Sequence, residues 1–211
     1  INQWVATQTH DPTKDLVPPG AISSAQQLEL VPAIYFLGDW TDPFKKEETQ
    51  PAAFHTTATA HHDVPTMNQQ LHADWAEDSS VSVLELPYAG GGFSMTLVLP
   101  KKVDGLDEVE KKLSADGFDK WIEAEKSTRV NVALPKFTID AKAPIALGDA
   151  LVDLGMKDAF DRKKADFSGI ANPPKPEDKL FISKVFHKAF VKVDEKGTEA
   201  AAATAVIMDR A

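Results

Sequence analysis

Glu195-Lys-Gly-Thr-Glu-Ala-Ala-Ala-Ala-Thr-Ala-Val206 is the stretch on which the reading of the whole chain turns. Local propensity pulls it toward helix, because Thr198 and Glu199 resemble a helix start and four alanines follow. On residue type alone it reads as an Ala-rich terminal helix or tail. Yet it comes directly after Leu180 to Val193, which has strand periodicity. There Phe181, Val185, Ala189, Val191 and Val193 share a face with His187, and Lys184, Lys188 and Lys192 alternate opposite. Extended, those fourteen residues span about 46 Å. Residues 198–211 are equally numerous and would match that length as a strand. Thr198, Ala200, Ala202, Thr204, Val206 and Met208 would then share a face, small side chains leading and larger ones following. Such grading suits a segment that slides between strands already packed.

Working outward, the 211 residues are 43% hydrophobic with a net charge of −9. That is enough for one sizeable core, and the charge argues against nucleic acid or an anionic membrane as partner. No apolar run approaches membrane-spanning length. The absence of cysteine excludes disulfides and thiol chemistry, and no Asn-x-Ser/Thr sequon occurs. Neither a Gly-x-Ser-x-Gly elbow nor a paired-carboxylate motif supports an enzyme, and no cofactor motif is present. His61-His62-Asp63, with His55 and His72 near, lacks the ligand spacing of known zinc motifs and reads as a solvated polar stretch.

Trp4 and Val5 suit the apolar face of a short helix, and Pro12, Pro18, Pro19 and Gly20 mark an extended linker. In residues 28–38, Leu28, Leu30, Ile34 and Phe36 share a strand face with Pro32. A proline cannot donate to a ladder, so this strand is expected at an edge or beside a gap. Residues 41–60 are polar and turn-rich, and 64–67 suit a short strand. Residues 81–88 and 93–99 form a hairpin across Gly90-Gly-Gly92, which is a turn rather than a phosphate loop. Helices follow at Leu106–Leu113, after Asp104, and at Phe118–Ile122, after Asp116. Strands flank Pro135. Leu147, Leu151 and Leu154 make a helical stripe stopped by Gly155, and residues 172–176 form a surface loop. No linker divides the chain into two domains.

Taken in order, Tyr35-Phe36-Leu-Gly38-x-Trp40-x-x-x-Phe44, Leu134-Pro-Lys-Phe137, Leu154-Gly-Met156, Ala165-Asp-Phe-Ser-Gly169 and Val185-Phe-His-Lys-Ala189 resemble the serpins. The stretch from Glu195 to Thr204 resembles the serpin hinge. The likeness covers the chain from the helix at Ile1-Asn-x-Trp-Val5 to the reactive bond. It lacks the family's N-terminal helices and strands and the C-terminal strands beyond the reactive loop. The resemblance implies one incomplete α+β domain over 1–211, with hinge and reactive loop at 195–211. Its expected architecture is a large, mostly antiparallel central sheet holding the inserted loop, with further sheets and surrounding helices. It also implies a metastable suicide inhibitor of serine proteases. The protease attacks a bait bond, the cut loop inserts into the main sheet, and the acyl-enzyme is carried along and distorted. A non-inhibitory carrier, chaperone or storage serpin is the alternative.

By that likeness Gly197 is the flexible hinge, and Thr198 is the first side chain that must enter the sheet. Glu199, Ala200, Ala201, Ala202 and Ala203 keep the small-residue pattern of inhibitors. Gly197 lies fifteen residues before the scissile bond in the family, which puts the bond after Ala211. The expectation is a chain cut at its reactive bond, with the C-terminal fragment and the N-terminal part of the same serpin as partners. Alanine before the bond favours an elastase-like or subtilisin-like target; a register one residue shorter, at Arg210, favours a trypsin-like one. Lys136 is expected to pair with Glu195, and Trp40 to pack under the point of loop entry. His187 is expected to hydrogen-bond across the sheet, but the family's asparagine partner is replaced by Pro32. Neither metal nor cofactor is implied. An extracellular or secreted setting is implied, although a periplasmic or cytoplasmic one fits the same residues.

Overall fold

The computed structural model describes residues 1–10, 13–22 and 26–210. In chain order its elements begin with α1 (Asn2–Gln8), β1 (Gln26–Leu30), β2 (Ala33–Asp39), β3 (Gln50–His55), β4 (His61–Glu77), β5 (Val81–Pro87) and β6 (Ser94–Pro100). There follow α2 (Leu106–Lys112), α3 (Ala115–Glu123), β7 (Lys126–Pro135), β8 (Phe137–Asp140), β9 (Ile145–Ala146), α4 (Gly148–Asp153), α5 (Lys157–Phe160), β10 (Leu180–Val193) and β11 (Gly197–Arg210). This mixed α+β chain forms two compact units with interleaved segments. Residues 1–36, 138–191 and 199–211 make one, residues 37–137 and 192–198 the other.

The first unit is built on a sheet in the order β1-β11-β10-β8, with β2 also paired to β11 and β9 to β10. The Ala-rich segment is therefore a strand with neighbours on both sides. β1 runs antiparallel to it, Leu28 facing Met208 and Leu30 facing Val206. The expected single strand over 28–38 breaks at Val31-Pro32 into β1 and β2. Its expected apolar face is largely uncovered, with Leu30 44% and Ile34 67% exposed.

The expected linker before β1 is part of the core. Leu16, Val17 and Ala21 bury with Val5 of α1 against Ala203, Ala205 and Ile207. The Asn2 side chain fixes α1 to this segment by donating to the Val17 carbonyl and accepting from the Val17 N–H, both at 2.9 Å. Two lysines of β10 reach the same segment. Lys184 donates to the Ala21 carbonyl (3.1 Å), and the buried Lys188 to the Lys14 carbonyl (2.7 Å). A second cluster gathers Leu180, Ile182, Val185 and Met208, with Leu147 and Leu151 of the predicted helical stripe packed against it.

The second unit holds a five-stranded sheet, β3-β4-β5-β6, with β7 paired to β4. Here two expectations fail. The short strand over 64–67 is a fragment of the seventeen-residue β4, and the turn-rich stretch 41–60 contains β3. Pro51, Pro65 and the many polar residues hide both, because β3 is exposed at every position. The β5–β6 hairpin closes through Gly90, Gly91 and Gly92, with φ of 92°, 72° and 85°. The cap of α3 is Ser114, which accepts from Gly117 N–H at 3.1 Å, rather than Asp116.

Candidate functional site

Residues 194–197 connect β10 to β11 within the second unit, and polar bonds hold that turn from several directions. The Asp194 N–H donates to the Gly197 carbonyl (3.0 Å), and the Lys196 N–H to the Asp194 carboxylate (2.9 Å), closing the turn on itself. The Trp40 N–H donates to the Lys196 carbonyl (2.8 Å), its indole N–H to the Asp194 carbonyl (3.0 Å), and the Phe44 N–H to the Glu195 carbonyl (2.9 Å). Trp40 is buried and stacks on Tyr88, ring centroids 4.7 Å apart and planes 10° from parallel. Its large apolar body is covered while its one donor is spent on the turn, the usual bargain for a buried tryptophan.

Glu195 is the charged centre of the turn. Its side chain is 6% exposed, and both oxygens face Lys136 Nζ, at 3.0 Å and 2.8 Å. Thr49 Oγ1 adds a third bond at 2.9 Å. Burial pushes the carboxyl pKa up. Lys136, the Glu195 N–H and Thr49 outweigh that and hold it below the usual carboxylate range. The group is therefore a fixed carboxylate, hydrogen-bonded well enough to remain charged while buried.

Gly197 begins β11 where backbone meets backbone. A Cβ there would strike the Gly38 carbonyl oxygen and lie 2.8 Å from Asp39 Cα and 2.9 Å from Gly38 C. Only glycine fits. Thr198, next along, is 4% exposed. Beyond it, in the first unit, Glu199 accepts from Tyr35 Oη at 3.0 Å. Ala201, Ala203, Ala205 and Ile207 form the more buried side of β11, with Ala200, Ala202, Thr204 and Val206 half-buried. Sequence grading points to the even-numbered side. The structure favours the odd one, because α1 and residues 13–21 lie against it.

Pro32, Thr204 and His187 meet at one level of the first unit's sheet. The Thr204 N–H donates to the Pro32 carbonyl at 3.2 Å, so the proline supplies the acceptor half of a rung and cannot supply the donor half. That is where β1 and β2 part. His187 Nδ1 lies 2.9 Å from Thr204 Oγ1. The partner missing from Pro32's position is thus supplied by β11. Arg210, the last residue of β11, pairs with Asp178 at 3.3 Å, and Ala211 lies outside the described residues.

The fold that seats this strand between β1 and β10 recurs in known proteins. The family model for serpins (serine protease inhibitors) matches residues 1–211. The chain belongs to the serpin family. It is 40% identical to human Serpin B3 over 98% of its own length and 52% of the relative's. It is 39% identical to human leukocyte elastase inhibitor, over 98% of its length and 55% of that protein's. The solved structure of ovalbumin from emu (Dromaius novaehollandiae) superposes with a TM-score of 0.93 at 34% identity, covering 100% of this chain and 54% of that one. The chain thus spans about half the length of the serpins it matches. No helix among the described residues is long and apolar enough to cross a membrane.

The serpin-derived expectations for Lys136, Glu195 and Trp40 coincide with a single bonded cluster. Sequence reasoning missed Thr49, Gly38 and Thr204. Thr49 is one of five threonines in the polar stretch 41–60 and carries no signal that singles it out. Thr204 was within reach, because it lies on the even-numbered face of the strand expected beside the one that carries His187.

Proposed function

We propose that this chain is the greater part of the working machinery of a suicide inhibitor of serine proteases. The observation that carries the reading is β11 itself. The small-residue segment forms a strand between β1 and β10, entered through a hinge whose glycine no other residue can replace. The chemistry of bond attack belongs to the target protease. This chain supplies the strand, whose backbone donors and acceptors and apolar side chains gain partners on insertion. In this role Glu195, Lys136 and Trp40 fix the turn, Gly197 is the hinge, and Thr198 to Ala203 lead the entering strand. Pro32, Thr204 and His187 mark the level at which the sheet's inner strands join. A reactive bond after Ala211 gives an elastase-like or subtilisin-like target, and the likeness to leukocyte elastase inhibitor favours the elastase-like one. The expected extracellular setting draws no support from these relatives, and the reading does not depend on it.

The test uses the complete serpin, incubated with elastase-like, subtilisin-like and trypsin-like proteases and run on denaturing gels. A covalent complex stable to SDS is expected with an enzyme of small primary pocket. The Thr198→Arg variant should be cleaved without trapping, because an unpaired guanidinium would have to enter a site now 4% exposed. Cleavage without a complex by every protease, in the parent protein, would favour the non-inhibitory carrier, chaperone or storage reading.

A further inference from the structure

The β3–β4 hairpin carries a histidine pair outside the hinge and the sheet just described. β3 and β4 are antiparallel, with His55 directly opposite His61, Phe54 opposite His62 and Ala53 opposite Asp63. The two facing imidazoles have centroids 5.4 Å apart and planes tilted by 42°. Their rung lies next to the turn, where the Thr56 N–H donates to the Ala60 carbonyl at 3.0 Å. Hydrogen-bonded and non-hydrogen-bonded pairs alternate along an antiparallel ladder, so His55 and His61 occupy a non-hydrogen-bonded pair, where side chains approach most closely. The turn itself is fixed. Thr57 Oγ1 accepts from both the Thr59 and Ala60 N–H groups, at 3.3 Å and 3.0 Å.

We propose that His55 and His61 form a two-imidazole site for a divalent transition-metal ion, zinc by preference, at the end of this hairpin. Two imidazoles on one tetrahedral zinc, with Zn–N bonds of about 2.0–2.1 Å, have ring centres roughly 5 Å apart. Ligands at right angles would bring the rings to about 4.5 Å, and ligands on opposite sides would part them to about 6.4 Å. The observed 5.4 Å suits the tetrahedral arrangement. Both rings are exposed, so an ion reaches them without opening the fold. Side chains alternate along a strand, which puts Asp63 on the same side as His61 and turns His62 to the other. Among the described residues no set of three or more His, Asp or Glu side chains converges on one point. The protein therefore contributes two ligands and water completes the shell. The consequence is a labile clip on the two strands rather than a permanent structural metal.

The test is calorimetric titration of zinc chloride into the untagged complete serpin near pH 7.5, in a buffer that does not chelate. One site is expected. His55→Ala and His61→Ala should each weaken it at least tenfold. His62→Ala, on the opposite side of the same strand, should change it less than about twofold. Both positions are exposed, so unchanged far-ultraviolet dichroism in the variants shows that lost binding is not lost folding. Zinc affinity insensitive to both substitutions, or no heat of binding up to millimolar zinc, would overturn the proposal.

Discussion

Replacing Gly197 with alanine adds one methyl group and tests how closely β11 and β2 approach. In the described structure that carbon would sit 2.8 Å from Asp39 Cα and 2.9 Å from Gly38 C, and would strike the Gly38 carbonyl oxygen. Carbon atoms in comfortable contact are about 3.5–4.0 Å apart, so the backbones must separate by something like 1 Å. No side-chain rotamer can relieve this, because every atom struck is backbone. The cost therefore falls in the upper part of the overpacking range, about 2–3 kcal/mol. With a urea dependence of about 2 kcal/mol per molar, the unfolding midpoint should drop by about 1–1.5 M. Gly169→Ala is the control. A methyl there meets nothing within 4 Å, and its backbone is not left-handed, so its stability should stay within about 0.5 kcal/mol of the parent. If the two variants unfold together, the strand does not enter where the structure places it. If only Gly197→Ala shifts, the hinge glycine is required by contact rather than by flexibility.

Two further substitutions probe the electrostatics. Lys136→Met should cost about 3 kcal/mol, because it leaves a buried carboxylate with only Thr49 and backbone partners. The sign of its pH effect is fixed. Glu195 is held below its ordinary range, so its pairing stabilises the fold above that range and is lost as pH falls through the depressed value. Acid titration of stability should show that loss in the parent and a smaller one in Lys136→Met. Glu125 behaves oppositely. Burial, followed by its contact with Glu85 and the charges of Glu85 and Asp74, pushes it from 4.5 up to about 7. Its contribution is fully present below about pH 4.5 and fades as pH rises through about 7. Glu125→Gln should flatten the stability profile across that window, measured as urea midpoints.

How much of this was legible in the chain depended on whether a residue's role is carried by its own type or by its neighbours. Leu180–Val193 appeared with its full length, because fourteen residues of alternation are a strong signal. Lys136, Glu195 and Trp40 were legible through family resemblance and coincide in one cluster. β3 was not, because a strand exposed along its whole length shows no apolar alternation. Lys188 is one of three lysines that alternate opposite the apolar face of β10, yet it is 7% exposed, because the segment that covers it reads as a linker. Burial of that kind is a property of two distant stretches together, and neither one announces it.

β11 itself shows how such a conflict is settled. Four consecutive alanines favour helix over strand by at most a few tenths of a kcal/mol each. Against this stands a ladder on both sides of the strand, from β1 and β2 on one side and β10 on the other. Each hydrogen bond there contributes about 1 kcal/mol net, and none of them exists for an isolated segment. The alanines do not oppose the strand so much as leave it uncommitted until a two-sided slot is available. They also fit that slot, since Ala203 and Ala205 are buried to 1% exposure or less beside α1 and residues 13–21, where larger side chains would have to displace Val5 and Leu16. Weak preference for strand and small volume thus act together: the segment takes its strand conformation from its neighbours and close-packs between them.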